Sequence, residues 1–330
     1  SRSIQVIVPD FSLSPSTSTM RLKVGESGTL SLTATSINGY EGCISLSADA
    51  PRGIDVDFQW DVLCLTPGGV NSSSVTISVA SDVSPGVYMV NITGVGSPRR
   101  EVSLTVEVTD FDLAVSNSHP TILIDSSETL GVDVLSLGGF SQPVQLSVQN
   151  LPSGFTAVLD RETLTPPSGG SDSTSLTITV SRDASPGVHT ITLRGVCDSL
   201  VREVDINVTV PQPSFTLSLY PSSIIAVAGG EASSTITVTS VNNFEDSVTL
   251  TVNASSLPSL VAVFEDNPVT PPSGGSTSTT LTLQIPSNAT PGLYNITIGA
   301  EAPGVGKETA YLTLRVRPPP PKPDYTVSVD

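Results

Sequence analysis

The stretch Ser185-Pro186-Gly187-Val188-His189-Thr190-Ile191-Thr192-Leu193 decides the fold. A Pro-Gly turn opens it, and beyond the turn His189, Ile191 and Leu193 alternate with Thr190 and Thr192. A period of two marks a strand with one buried face, because successive side chains point to opposite sides of the pleat. The turn recurs as Ser84-Pro85-Gly86-Val87-Tyr88 and as Thr290-Pro291-Gly292-Leu293-Tyr294, so the chain repeats about every hundred residues. Two further markers keep the same beat. Thr165-Pro166-Pro167-Ser168-Gly169-Gly170 returns as Thr270-Pro271-Pro272-Ser273-Gly274-Gly275 and, shortened, as Thr66-Pro67-Gly68-Gly69. Phe11-Ser12-Leu13, Phe111-Asp112-Leu113, Phe215-Thr216-Leu217 and Tyr325-Thr326-Val327 mark openings. Three whole units follow, over 11-110, 111-213 and 214-317.

Within each unit the alternation persists: Val75, Ile77 and Val79 correspond to Leu176, Ile178 and Val180 and to Leu281, Leu283 and Ile285. The closing strands read Leu104-Val106-Val108, Ile206-Val208-Val210 and Leu312-Leu314-Val316 on their inner faces. β-Branched residues suit such pleated surfaces, and no segment holds a helical spacing. About seven short strands per unit, divided by Gly, Pro, Asn and Asp turns, predict an all-β chain of tandem antiparallel immunoglobulin-like β-sandwiches, of immunoglobulin or fibronectin type III kind. Tyr88 and Tyr294 follow their Pro-Gly turns, where a tyrosine corner bonds its hydroxyl to nearby backbone. His189 takes that place in the second unit and is read as a corner substitute rather than a catalyst. His119 precedes Pro120 and has no evident partner.

The flanks carry the same pattern. Ile4, Val6 and Val8 before Asp10-Phe11 copy Leu104, Val106 and Val108 before Asp110-Phe111, so 1-10 reads as the closing strand of a preceding repeat. Residues 318-330 read as a Pro-rich linker and the first strand of a following repeat, Tyr325-Thr326-Val327-Ser328-Val329. The chain is therefore expected to be a window on a longer polypeptide. Donor-strand exchange between subunits is the alternative; it needs a unit lacking its own terminal strand, whereas all three units own both. The junctions are short (Val108-Thr109-Asp110-Phe111), proline-bounded (Pro211-Gln212-Pro213) or a run of prolines (Pro318-Pro319-Pro320-Pro321-Lys322-Pro323), the last a spacer of about 19 Å in polyproline II geometry. Short or stiff junctions predict an extended rod.

The formal charge of −17 gives the chain no footprint for phosphate backbones and disfavours anionic membrane surfaces. No apolar run is long enough to span a membrane. No nucleophile elbow, no His-Glu-X-X-His and no phosphate-cradling Gly-rich loop occurs, and two histidines in separate loops build no metal site. The chain is accordingly read as no enzyme, with no cofactor. Sugar clefts recruit aromatic platforms, and the single tryptophan, Trp60, is expected to pack near the Cys43-Cys64 crossing.

Cys43 and Cys64 fall in one unit and have no counterparts in the others, which predicts a disulfide and with it an oxidising, extracellular or cell-surface location; two small buried thiols are the alternative. Cys197, in the last hairpin of the second unit, is expected to be a free exposed thiol or an intermolecular link. Six Asn-X-Ser/Thr sequons begin at Asn71, Asn91, Asn207, Asn253, Asn288 and Asn295. Asn91, Asn207 and Asn295 take the outward parity of their strands, where a covalent glycan could project. Asp10, Asp110, Asp112 and Asp324 gather near junctions. A calcium ion shared between units would draw on Asp110 and Asp112, the one close pair, but no Asp-X-Asp-X-Asp loop is present and the carboxylates are read as solvated or capping groups. Asp55 and Asp57 are read as solvent-facing.

Leu-Pro-Ser-Gly at 151-154, the Thr-Pro-Pro-Ser-Gly-Gly turn before a Ser/Thr-rich strand, and Ser/Thr-Pro-Gly-X-Tyr before the next together resemble the tandem immunoglobulin-like repeats of archaeal and some bacterial cell-surface proteins, among them surface-layer proteins, extracellular filaments and the stalks of secreted proteases. The resemblance spans nearly the whole chain. It implies a structural extracellular segment that self-associates or meets neighbouring surface proteins. The alternatives are an adhesin-type binding module and the non-catalytic spacer of a secreted surface hydrolase.

Overall fold

The computed structural model describes residues 6–318. The remainder of the expected preceding strand, with Ile4, and of the following linker and strand, with Tyr325, lies outside the described residues. Residues 6–9 form no strand, and Val6, Ile7 and Val8 are exposed.

The described residues are all strand and turn, without a helix. The first unit holds β1 (Asp10–Pro15), β2 (Thr19–Lys23), β3 (Ser27–Ile37), β4 (Gly42–Asp49), β5 (Ile54–Phe58), β6 (Val62–Leu65), β7 (Val70–Val79), β8 (Gly86–Val95) and β9 (Arg100–Val115). The second holds β10 (Ser126–Leu137), β11 (Val144–Gln149), β12 (Phe155–Leu159), β13 (Thr163–Leu164), β14 (Ser171–Val180), β15 (Gly187–Cys197) and β16 (Leu200–Val210). The third holds β17 (Ser214–Tyr220), β18 (Ser223–Val227), β19 (Glu231–Val241), β20 (Thr249–Asn253), β21 (Val261–Phe264), β22 (Ser276–Gln284), β23 (Gly292–Ala302) and β24 (Gly306–Arg317).

One topology serves all three. A sheet ordered β1-β3-β7-β5 faces a sheet in which β9, β8, β4 and β6 lie side by side with β2 added parallel to β9. The third unit repeats this as β17-β19-β22-β21 against β18-β24-β23-β20. The sequence markers now have physical reasons. The Tyr88 hydroxyl donates to the Ser84 carbonyl and the Tyr294 hydroxyl to the Thr290 carbonyl, each at 2.7 Å, and His189 Nε2 makes the same bond to the Ser185 carbonyl at 2.7 Å. The Thr-Pro-Pro-Ser-Gly-Gly turns close on themselves, Gly170 N–H to Pro167 O and Gly275 N–H to Pro272 O, both 2.9 Å. A serine of the neighbouring strand receives each turn: Ser136 Oγ accepts from Gly169 N–H at 2.9 Å and Ser240 Oγ from Gly274 N–H at 3.1 Å. The opening phenylalanines are fully buried, and Phe11, Phe111 and Phe215 each lean on a second ring, Tyr40, Phe140 and Phe244, with centroids 5.2, 5.4 and 5.3 Å apart. Tilted pairs of this kind add about 1 kcal/mol beyond their burial.

The units differ in how they join. Strand β9 serves two of them: Arg100–Val108 pairs with β8, and Asp110–Val115 pairs with β10 of the next sandwich. One continuous strand thus fuses two sheets into an eight-stranded one, and the buried side chains of the first two sandwiches form one contiguous core. The third sandwich has its own core beyond the Pro211-Gln212-Pro213 break. The chain exposes 17596 Å², against about 13,000 Å² for a compact monomer of 34.0 kDa.

Candidate functional site

Chemically distinctive groups collect at the junctions between sandwiches. At the first, Gly138 takes φ +60°, and a Cβ there would lie 2.2 Å from the Val108 carbonyl oxygen, so only glycine admits this approach of the second sandwich to the first. Lys23, 7% exposed at the end of β2, pairs with Asp198 in the β15–β16 turn of the second sandwich. Burial works against its ammonium, but the Asp198 carboxylate together with the nearby Cys197 and Glu26 outweighs that and holds the pKa above the usual lysine value. Beside the pair lies a cavity of about 170 Å³ lined by Lys23, Glu26, Phe140 and Gln142 among others.

Asp110, expected to be solvated or capping, is 5% exposed and paired with Arg202 across the top of the second sandwich, while its Oδ1 accepts from Phe111 N–H at 2.8 Å. Asp10 makes the same pair with Arg100 in the first, where the guanidinium holds the carboxyl below its ordinary value. Each pair ties the start of an opening strand to the last hairpin of its own sandwich. Ser214 replaces the aspartate in the third. Asp112 faces solvent with Oδ1 accepting its own neighbour's N–H, Leu113, at 2.8 Å. Asp110 and Asp112 are therefore separated by burial and partner, and among the described residues no cluster of three or more His, Cys, Asp or Glu could hold a metal ion.

The second junction is polar. Asn242 Nδ2 donates to the Gln212 carbonyl at 2.9 Å, and Asn243 Nδ2 to the Ile124 carbonyl at 2.8 Å and to Ser126 Oγ at 3.2 Å. Arg182 of the second sandwich pairs with Glu245 and, at 3.3 Å, with Asp246 of the third. Asn38 repeats the Asn242 contact, donating to the Val8 carbonyl at 3.1 Å across the same separation of 30 residues.

Cys43 and Cys64 are direct partners in the β4–β6 register and form a disulfide of 1.99 Å that ties the edge strand β6 to β4 on its solvent side. Cys197 departs from expectation. It is 6% exposed, its thiol donates to Gln142 Oε1 at 3.4 Å, and Lys23 of the first sandwich pairs with the adjacent Asp198. Burial pushes that thiol's pKa up, against a smaller opposing pull from Lys23. Trp60 departs too: it stands 61% exposed in the turn between β5 and β6. Asp55 and Asp57 face solvent. Of the sequon asparagines, Asn71, Asn253, Asn288 and Asn295 are exposed; Asn91 and Asn207 are half-buried, with Oδ1 accepting from Ser103 Oγ at 2.7 Å and Thr190 Oγ1 at 2.8 Å. His119 is exposed, its Nδ1 2.9 Å from Ser118 Oγ.

No family model matches the chain, and no curated protein does. Among solved structures, the I67-I69 fragment of titin's I-band is 11% identical, with 94% of this chain and 98% of that one covered at a TM-score of 0.33. The D1-D4 ectodomain fragment of ICAM-5 is 11% identical over 94% of this chain and 77% of that one, TM-score 0.36. Domains 4 and 5 of the S-layer protein SbsC are 18% identical over 41% and 70%, TM-score 0.25. Scores this low leave the assignment of tandem β-sandwiches to rest on strand order and register. No helix among the described residues is long and apolar enough to cross a membrane.

Proposed function

We propose that this chain is a structural, extracellular spacer: three repeats, 11-110, 111-213 and 214-317, from the shaft of a larger surface-layer, filament or stalk protein. The observation that carries the reading is β9, one strand belonging to two sandwiches, which removes the linker about which they could pivot. Lys23–Asp198 and Arg182–Glu245 add contacts at successive junctions, as a spacer that must hold its length requires. The disulfide supports an oxidising compartment. The Asn38 contact to Val8, alike in form to that of Asn242 with Gln212, supports reading 1-10 as the tail of a preceding repeat; 318-330 is read as the start of a following one on its sequence alone. The chain is read as non-catalytic and without cofactor, its partners being copies of itself or neighbouring surface proteins, and its exposed sequons, Asn71, Asn253, Asn288 and Asn295, as the glycan acceptors.

Trp60 favours a second reading, an adhesin-type module, because an exposed indole beside exposed Val62 is the kind of anchor that interfaces use. Micrographs of the native material, with antibody labelling of intact cells, test the first reading. Ordered layers or filaments labelled at the surface are expected. A label seen only after lysis would overturn it, and saturable binding to cells, abolished by Trp60→Ala, would favour the adhesin.

A further inference from the structure

We infer that the second sandwich is the mechanical yield point of the chain: tension along the rod opens it before the first or the third, because two prolines thin the parallel ladder that holds its ends together. Its biological relevance rests on the spacer reading; its physics does not.

In each sandwich the chain enters by an opening strand paired in one sheet, crosses to the edge of the other sheet, and leaves by the strand that runs parallel to that edge segment. Pulling the ends apart slides these two strands past each other, so every hydrogen bond between them bears load at once. In the first sandwich β2 and β9 stay in register from Thr19 opposite Thr105 to Lys23 opposite Thr109. Bonds from Thr105 N–H to Ser18 O (2.9 Å) and from Val24 N–H to Thr109 O (3.1 Å) extend the ladder at both ends. In the third, β18 and β24 run in register from Ser223 opposite Thr313 to Val227 opposite Arg317, with Thr313 N–H to Ser222 O at 2.9 Å beyond.

The second sandwich has the isolated bridge of Thr121 and Thr209 instead. Its bonds are Asn207 N–H to Ser118 O at 2.8 Å, Thr209 N–H to Pro120 O at 2.9 Å and Ile122 N–H to Thr209 O at 3.0 Å. Pro120 stands where the first sandwich has Met20 and the third Ile224, and it has no N–H to give. Pro211 stands where they have Thr109 and Arg317, with the same deficit on the opposite strand. The first sandwich also carries an ion pair across its ladder, Arg21 to Glu107 at 2.7 Å. The other pairing that bears the load, that of the opening strand with its neighbour, does not discriminate. It runs over Asp10–Pro15, Asp110–Val115 and Ser214–Tyr220 in the three sandwiches.

Single-molecule stretching of the whole oxidised chain by its two ends tests this. The first sandwich labels itself, since the 21-residue Cys43–Cys64 loop stays closed and shortens its released length by about 70 Å at ~3.4 Å per residue. The lowest-force event is expected to release a full-length sandwich. Pro120→Ala, which restores one N–H to three loaded bonds, is expected to raise that force roughly 1.3-fold and leave the other two events in place. Pro211→Ala is the second variant, should the first fold poorly, with the same expected direction. A lowest-force event with the shortened length, or one unmoved by the proline replacement that folds, would overturn the inference. Neither result bears on whether the chain is a rod, which solution scattering decides separately.

Discussion

Ser259 shows how one residue can differ in cost between repeats of the same fold. The turn before the strand at this position uses Gly53 and Gly154 in the first two sandwiches, both at positive φ, and Gly154 also lies where a Cβ would come within 2.7 Å of Ala184 backbone. The third sandwich places Ser259 there at φ +71°. A non-glycine residue in the left-handed region costs about 1 kcal/mol. Ser259→Gly should therefore stabilise the third sandwich by about that much, offset in part by the greater freedom of glycine in the unfolded chain, and urea titration of its transition reads the shift. Cys197 offers a test of a different kind. Its burial and raised pKa predict slow reaction with a thiol reagent at pH 8 in the native, unreduced protein, and one titratable thiol on unfolding. Rapid native labelling would contradict the burial of that thiol.

At the scale of elements, the disulfide secures β6, an edge strand of four residues with no other covalent hold. Closing a 21-residue loop is worth about 3 kcal/mol through the unfolded chain, so reduction should lower the stability of the first sandwich by that order and leave the transition of the third, which has its own core, unmoved. Strands and repeats were legible in the sequence because period-two alternation and turn chemistry are local: Leu176, Ile178 and Val180 point inward as their spacing says. The corner role of His189 was legible for the same reason, since its two companions are tyrosines at equivalent positions. What was not legible depends on partners far along the chain. The Asp110–Arg202 pair joins residues 92 apart, and the thiol of Cys197 bonds to Gln142, 55 residues away. Exposure of Trp60 escaped notice because a lone aromatic in a turn carries no periodicity that assigns it a side.

The whole molecule is defined by its junctions, and these divide it unevenly. One strand and one core join the first two sandwiches, whereas Asn242, Asn243 and Arg182 hold the third through polar contacts beside a proline-bounded connection. Strand β3, of 11 residues, sets a sandwich length of about 36 Å at ~3.3 Å per residue, so three in line give a rod of about 110 Å. Small-angle X-ray scattering of the chain in solution measures this directly. A rod of that length has a radius of gyration of about 32 Å, whereas a compact domain of 330 residues has about 20 Å. A value near 32 Å with a rod-like distance distribution is the predicted result; a value near 20 Å would contradict the end-to-end architecture.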